Sequence, residues 1–273
     1  MVKKIFTYSL IILLLAMAGG YFFVAGRMVA AKEPAEVCKR IKINILDSAE
    51  NKFVSRKEVI SIIDGYNGKC IGKKCSELNL NDIETLLDKR SAIKKSQVSI
   101  TNNGLLNIDI TQRRPILRIE TSNGGFYIDG DEYIFPLAES FTSYVPIVTG
   151  NIPLELYDGF RGSVNKEGRA WLSRILDFGR YLNANPFWNA MINQIYVERN
   201  GDIILSAKVG NIKIIFGEPD DIEYKFRKLM AFYKNIAPEK GWNRYSEVNV
   251  KYKKQIVCKR NEKSDSSNRP GDN

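Results

Sequence analysis

Residues Ile5–Gly26, reading IFTYSLIILLLAMAGGYFFVAG, carry no charged side chain, and the next charge is Arg27. As a helix rising about 1.5 Å per residue, such a run reaches roughly 33 Å, enough to cross the hydrocarbon core of a bilayer. A cleaved leader has an apolar run of only about 7–15 residues, so the length favours a retained anchor even though Ala25 and Ala30 offer a cleavage-like pattern. Flanking charge barely decides orientation: Lys3 and Lys4 precede the run, while Arg27, Lys32, Lys39 and Arg40 follow it. The plan expected is a tail at 1–4, a transmembrane helix at 5–26, a linker at 27–40, and a folded body after it.

That body is bounded by what the chain lacks. There is no histidine among the 273 residues. Ser-His-Asp and Cys-His catalysis, His-containing zinc sites and imidazole acid–base chemistry are therefore excluded. No phosphate loop, nucleophile elbow or metal-ligand cluster is visible, and no cofactor is expected. The net charge of +10 is spread along the chain without an aromatic-basic recognition motif, which speaks against nucleic acid and fits lipid headgroups or an acidic protein better. Lys69, Lys73 and Lys74 in one glycine-rich loop, with Lys94 and Lys95, are the basic residues best placed for that. Of Cys38, Cys70, Cys75 and Cys258, only Cys70 and Cys75 are close in sequence. Their C-x4-C spacing is compatible with buried thiols, with a disulfide in an oxidising compartment or, weakly, with a metal.

Ile41, Ile43 and Ile45 alternate with polar residues as in a half-buried strand. Ser55-x-x-Glu58 is a capping box opening a helix through about Tyr66, and Leu80, Ile83, Leu86 and Leu87 mark a second helix to about Lys89. Val98 and Ile100, the Asn103-Gly104 turn, and Leu106, Ile108 and Ile110 form a hairpin. Strand, helix, helix, strand, strand within 41–112 is the order of a POTRA domain. Gln112-Arg113-Arg114-Pro115 is read as the domain junction; Arg113 and Arg114 read first as solvated strand residues, the alternative being that one of them locks the units together through a carboxylate. A mixed β domain with two helices is expected over 113–260: short strands with Gly-rich turns, a helix over 166–182 with Trp171, Ile175, Phe178 and Leu182 on one stripe, a meander over 192–216, a helix after Pro219-Asp220-Asp221, and closing strands at about Ser246–Tyr252 and Gln255–Lys259. A polar tail at 261–273 is expected to be disordered. The fold class is therefore α+β: one transmembrane helix, a POTRA domain, then a mixed sheet.

Several local pieces, taken in order, resemble the FtsQ/DivIB family of cell-division proteins. They are Gln112-Arg-Arg-Pro115, Gly125-Phe-Tyr-Ile-Asp129 with Tyr133-Ile-Phe-Pro136, Pro146-Ile-Val-Thr-Gly150, Ile214-Ile-Phe-Gly217 before an amphipathic helix, and Val250-Lys-Tyr252 with Gln255-Ile-Val-Cys-Lys259. The resemblance implies a cytoplasmic N-terminus at the inner membrane, a periplasmic body at the septum, and a non-enzymatic scaffold. Its implied partners are FtsB-like and FtsL-like proteins, and its implied effect is on septal peptidoglycan synthesis. Members often carry a longer cytoplasmic tail than residues 1–4. The alternatives are a membrane-anchored POTRA adaptor in envelope assembly or secretion, and an anchored cell-wall enzyme.

Asp129 and Asp131 around Gly130 read as turn residues, and Asp220 and Asp221 as helix-start acids, rather than as catalytic pairs. Trp171, Phe187 and Trp188 read as core. Trp242 and Tyr245 stand in the polar, turn-like Gly241–Tyr245 stretch, a setting where aromatics mark interfaces. With Tyr252, Gln255, Ile256, Val257, Cys258 and Lys259 they are the candidate partner-binding residues, on a last strand expected to offer its edge to another chain.

Overall fold

A computed structural model describes residues 12–25, 37–208, 212–242 and 244–261. The expectations for 1–11, 26–36, the Gly210-Asn211 turn and 262–273 lie outside the described residues. Helix α1 occupies 12–25, with Ile12, Leu13, Leu14, Leu15, Met17, Phe22 and Phe23 all exposed. Among the described residues no helix is long and apolar enough to cross a membrane.

The remainder forms two compact units, one built from residues up to Ser48 with Val54–Gln112, the other from Ala49–Phe53 with the chain from Arg113 onward. The first contains β1 (Arg40–Ile45), α2 (Arg56–Asn67), α3 (Leu80–Asp88), β2 (Ile93–Ile100) and β3 (Leu105–Gln112). Its sheet runs β1-β3-β2, with β1 parallel and β2 antiparallel to β3. Parallel pairing needs a long crossover, and the two helices supply it. Ser55 caps α2 by accepting from the Glu58 amide at 3.1 Å, and Asn79 caps α3 by accepting from Asp82 at 3.3 Å. Ile43, Val59, Ile63, Ile83, Leu87, Leu106, Ile108 and Ile110 are buried as its core. Strand β2 starts five residues before the alternation at Val98. A register shift between Ile93 and Lys95 breaks the period of two, so the first half of the strand does not alternate in sequence.

The second unit is a nine-stranded sheet ordered β12-β11-β10-β9-β8-β7-β4-β5-β6. Its strands are β4 (Pro115–Thr121), β5 (Gly124–Asp129), β6 (Ile134–Pro136), β7 (Ile147–Gly150), β8 (Ile192–Val197), β9 (Ile203–Ala207), β10 (Lys213–Gly217), β11 (Tyr245–Asn249) and β12 (Val257–Arg260). Pairings β4-β7, β7-β8 and β10-β11 are parallel, and the other five are antiparallel. Pro115 opens β4, where its missing N–H is tolerated.

Two long helices carry the crossovers, α4 (Lys166–Ala184) before β8 and α6 (Ile222–Ala231) before β11. The expectation of only two helices needs correction. A short α5 (Pro186–Met191) follows α4, and a π turn (Phe232–Ile236) joins α6 to α7 (Ala237–Lys240). Asn185 accepts from the Trp188 amide at 3.3 Å with Pro186 at the first helical position, so the break in one helix starts the next. Phe178, Trp188, Phe216 and Phe226 meet in the core at ring separations of 4.8–5.6 Å. Gly179 lets α4 approach β4: a Cβ there would lie 2.7 Å from the Leu117 side chain.

Candidate interaction site at the last strand

The site is assembled from α6, α7, β11 and β12. Strand β12 lies at the end of the sheet order, and among the described residues it pairs only with β11. The Asn261 amide donates to the Arg244 carbonyl at 2.8 Å, which fixes the strand's phase. Amides alternate in direction along a strand, so those of Val257 and Lys259 also face β11, and those of Cys258 and Arg260 face away from it. Ile256 and Cys258 are half-buried and pack on the core, whereas Val257, Lys259 and Arg260 are exposed. Burial raises the Cys258 thiol above its ordinary value.

The connection from β11 to β12 is held by α6. Lys228 donates from Nζ to the carbonyls of Val250, Tyr252 (2.5 Å) and Gln255 (3.4 Å). The Lys254 amide, in a residue at φ 60, donates to the Tyr224 hydroxyl at 2.9 Å. Lys251 donates to buried Asp202 at 2.5 Å, and this bond raises the Lys251 ammonium above its usual range. Lys228 is pushed down, first by desolvation and then by neighbouring Lys225. Two corrections to strand limits follow from this clamp. Strand β11 ends at Asn249, whose Oδ1 accepts from the Lys251 amide at 2.9 Å; the Val250 amide still donates to the Ile215 carbonyl of β10 at 2.9 Å, and Lys251 and Tyr252 beyond it are exposed. Strand β12 begins at Val257, because the Gln255 carbonyl is directed at Lys228; Gln255 and Ile256 therefore precede the strand. Tyr252 and Gln255 lie exposed in the connection.

Trp242 and Tyr245 flank the opposite end of the same hairpin. Tyr245 is opposite Arg260 in the β11–β12 register, with its ring 5.7 Å from that of Phe232. Trp242 is 40% exposed and stacks on buried Tyr233 at 5.9 Å and 29°. The Tyr233 hydroxyl has no hydrogen-bond partner among the described residues, and burial pushes its pKa up to about 12. The structure thus gathers the eight sequence candidates around one hairpin. Lys228 and Tyr224 were missed, since nothing in an amphipathic helix shows that a polar residue on it reaches a distant loop.

The junction residues fall on both sides of the division between the two units. Gln112 is buried in the first unit, where Oε1 accepts from the Val54 amide (2.9 Å) and Nε2 donates to Asp47 (3.2 Å). Arg113 pairs with Asp129 at 2.7 Å and lies over the Tyr133 ring at 3.4 Å, all within the second unit. Asp129 also accepts from the amides of Asp131 (2.9 Å) and Tyr133 (3.0 Å), the turn use expected of it. Arg114 is exposed, 3.8 Å from Glu50, which is counted with the same unit. Asp220 pairs with buried Lys225, and Asp221 stands at the N-terminal boundary of α6 in the left-handed region, without a side-chain capping bond. Trp171 and Trp188 are buried in the core, while Phe187 is partly exposed and edge-on to Trp188.

A small α+β unit is thus followed by a unit built on a mixed sheet, whose terminal strand β12 carries Lys259 and Arg260. Two family models match the sequence: a POTRA-like domain over 36–111, and FtsQ/DivIB, C-terminal related, over 114–259. The second covers more than half of the chain, and the chain belongs to that family. Proteins of these two families are generally non-catalytic, and the family ties the chain to cell division. No curated protein matches the sequence.

Proposed function

We propose that the chain is a scaffold of the division septum whose β12 edge takes up a strand from an FtsB-like partner, beside an FtsL-like one, and so influences septal peptidoglycan synthesis. The observation that carries this is the edge itself. Strand β12 is terminal in the sheet, its Cys258 and Arg260 amides face outward, and Lys228 holds the connection that sets its phase. A strand added there gains main-chain hydrogen bonds without any rearrangement of the sheet. Lys253, Lys254, Lys259 and Arg260 discourage pairing of two copies and favour an acidic partner segment. Trp242, Tyr252 and Val257 offer exposed apolar surface beside it.

In this reading residues 5–26 anchor the chain in the inner membrane, N-terminus inside, with both units in the periplasm. The apolar side chains of α1 support it: Ile12, Leu13, Leu14, Leu15, Met17 and Phe22 are each more than half exposed, a surface that suits an apolar surrounding such as a bilayer. The basic Lys69–Lys74 loop then has anionic headgroups or an acidic protein within its reach.

Arg260→Pro tests the edge. The substitution removes an outward donor and spares the bonds to β11, a position where a sheet tolerates proline. The full-length variant should keep its circular dichroism spectrum and lose co-purification of the FtsB-like partner. A folded variant that binds as before overturns strand addition. A fluorescent fusion that is not recruited to the septum would favour the envelope-assembly or secretion adaptor instead.

A further inference from the structure

In the first unit Cys38, distant in sequence, meets the loop that carries Cys70 and Cys75. The backbone of the 70–75 loop wraps around Cys38. The Cys38 amide donates to the Lys73 carbonyl at 2.8 Å, the Gly72 amide donates to the Cys38 carbonyl at 2.8 Å, and the Lys73 amide closes the loop onto the Cys70 carbonyl at 3.2 Å. An antiparallel bridge pairs Val37 with Lys74. This register sets Cys38 opposite residue 73, two positions before Cys75, which opens a short 3-10 turn (Cys75–Glu77). Cys38 and Cys70 are buried at 1% and 0% exposure, and Cys75 is half-buried. Each pair that includes Cys38 is close enough to interact electrostatically: ionised Cys75 raises the Cys38 thiol, and ionised Cys38 raises that of Cys70, both after the larger effect of burial.

We propose that this trio is a redox-modification site in which Cys38 is the constant partner of one disulfide to the 70–75 loop. Cys75 is the entry point because a disulfide oxidant can reach it. Its thiolate attacks a sulfur of the oxidant, forming a mixed disulfide and releasing one thiol. The Cys38 thiolate then attacks the Cys75 sulfur, forming the Cys38–Cys75 bond and releasing the second thiol. Two protons and two electrons leave the protein, and the oxidant's disulfide is reduced to two thiols. Cys70 remains a buried thiol beside the bond. The product ties the segment just before β1 to a loop that precedes α3. It would exist in cells only if this unit faces an oxidising compartment, and to that extent it rests on the orientation proposed above.

The test uses the full chain in detergent, treated with oxidised glutathione, denatured, alkylated and mapped by mass spectrometry. One intramolecular disulfide joining Cys38 to Cys75 is expected. Cys70→Ser should retain it, and Cys38→Ser should leave every remaining cysteine alkylated. Reduction of the oxidised protein should lower the melting temperature of the first unit by about 10 °C or more, given the long loop that is closed. Four alkylated thiols after oxidation, or a Cys70–Cys75 bond, overturn the proposal. A parallel sample alkylated inside intact cells separates the two readings: a bond that forms in vitro while the cellular protein carries free thiols supports the site and refutes the outward orientation.

Discussion

Tyr233→Phe isolates one atom beneath the proposed binding surface. The Tyr233 ring packs against Phe232 at 5.5 Å, Trp188 at 6.1 Å and Trp242 at 5.9 Å, and phenylalanine keeps all three contacts. What disappears is a buried hydroxyl without a partner among the described residues. Burying such a group costs about 1–3 kcal/mol, so its removal should stabilise the protein by about 1 kcal/mol at pH 7, against the usual direction for a core substitution. A second signature comes from ionisation. The phenol titrates near 10 in the unfolded chain and at about 12 in the fold. Between these values the native state binds more protons than the unfolded one, so stability falls as pH rises. The contribution is complete below pH 10 and is lost through pH 12, to the extent of about 3 kcal/mol for the two-unit difference. Urea denaturation of both proteins at neutral and alkaline pH measures it. The phenylalanine protein should start slightly ahead at pH 7 and gain further on the wild type above pH 10. A variant at least 1 kcal/mol less stable at pH 7, with no divergence at alkaline pH, would show that the hydroxyl is hydrogen-bonded and the argument wrong.

Lys228→Met keeps the length of the stem and removes the ammonium from three carbonyls; it should free the Val250–Ile256 connection, raise its amide hydrogen exchange by at least tenfold, and weaken partner binding while the melting temperature of the first unit is unchanged. Equal exchange in the two proteins would show that the hairpin is held by its own pairing. Gln112→Ala should destabilise the first unit by about 2–3 kcal/mol, because the Val54 amide and Asp47 lose a buried partner. Septal recruitment of that variant should survive at low temperature, where the unit remains folded; a selective loss there would give Gln112 a role beyond packing.

The sequence alone determined the local structure. The start of α2 was legible because Ser55 supplies the oxygen that a first turn lacks. The alternations at Ile41–Ile45 and Leu106–Ile110 decided which face of the first sheet is buried, since one face in water and one in the core forces a period of two. The absence of histidine decided what chemistry is excluded. Where polar residues interrupt that period, as at Lys94–Gln97, or where a helix restarts after Asn185, the reading failed. There the determinant is a bulge or a cap, not a periodic pattern. Only the tertiary structure decided the order of nine strands, because strand pairing is a contact between distant segments and leaves no local mark. The same holds for the terminal position of β12, for Lys228 reaching a loop 22–27 residues away, and for Cys38 lying inside the 70–75 loop. Each is a meeting of side chains or backbone from separate elements, and folding brings them together through the burial of other residues.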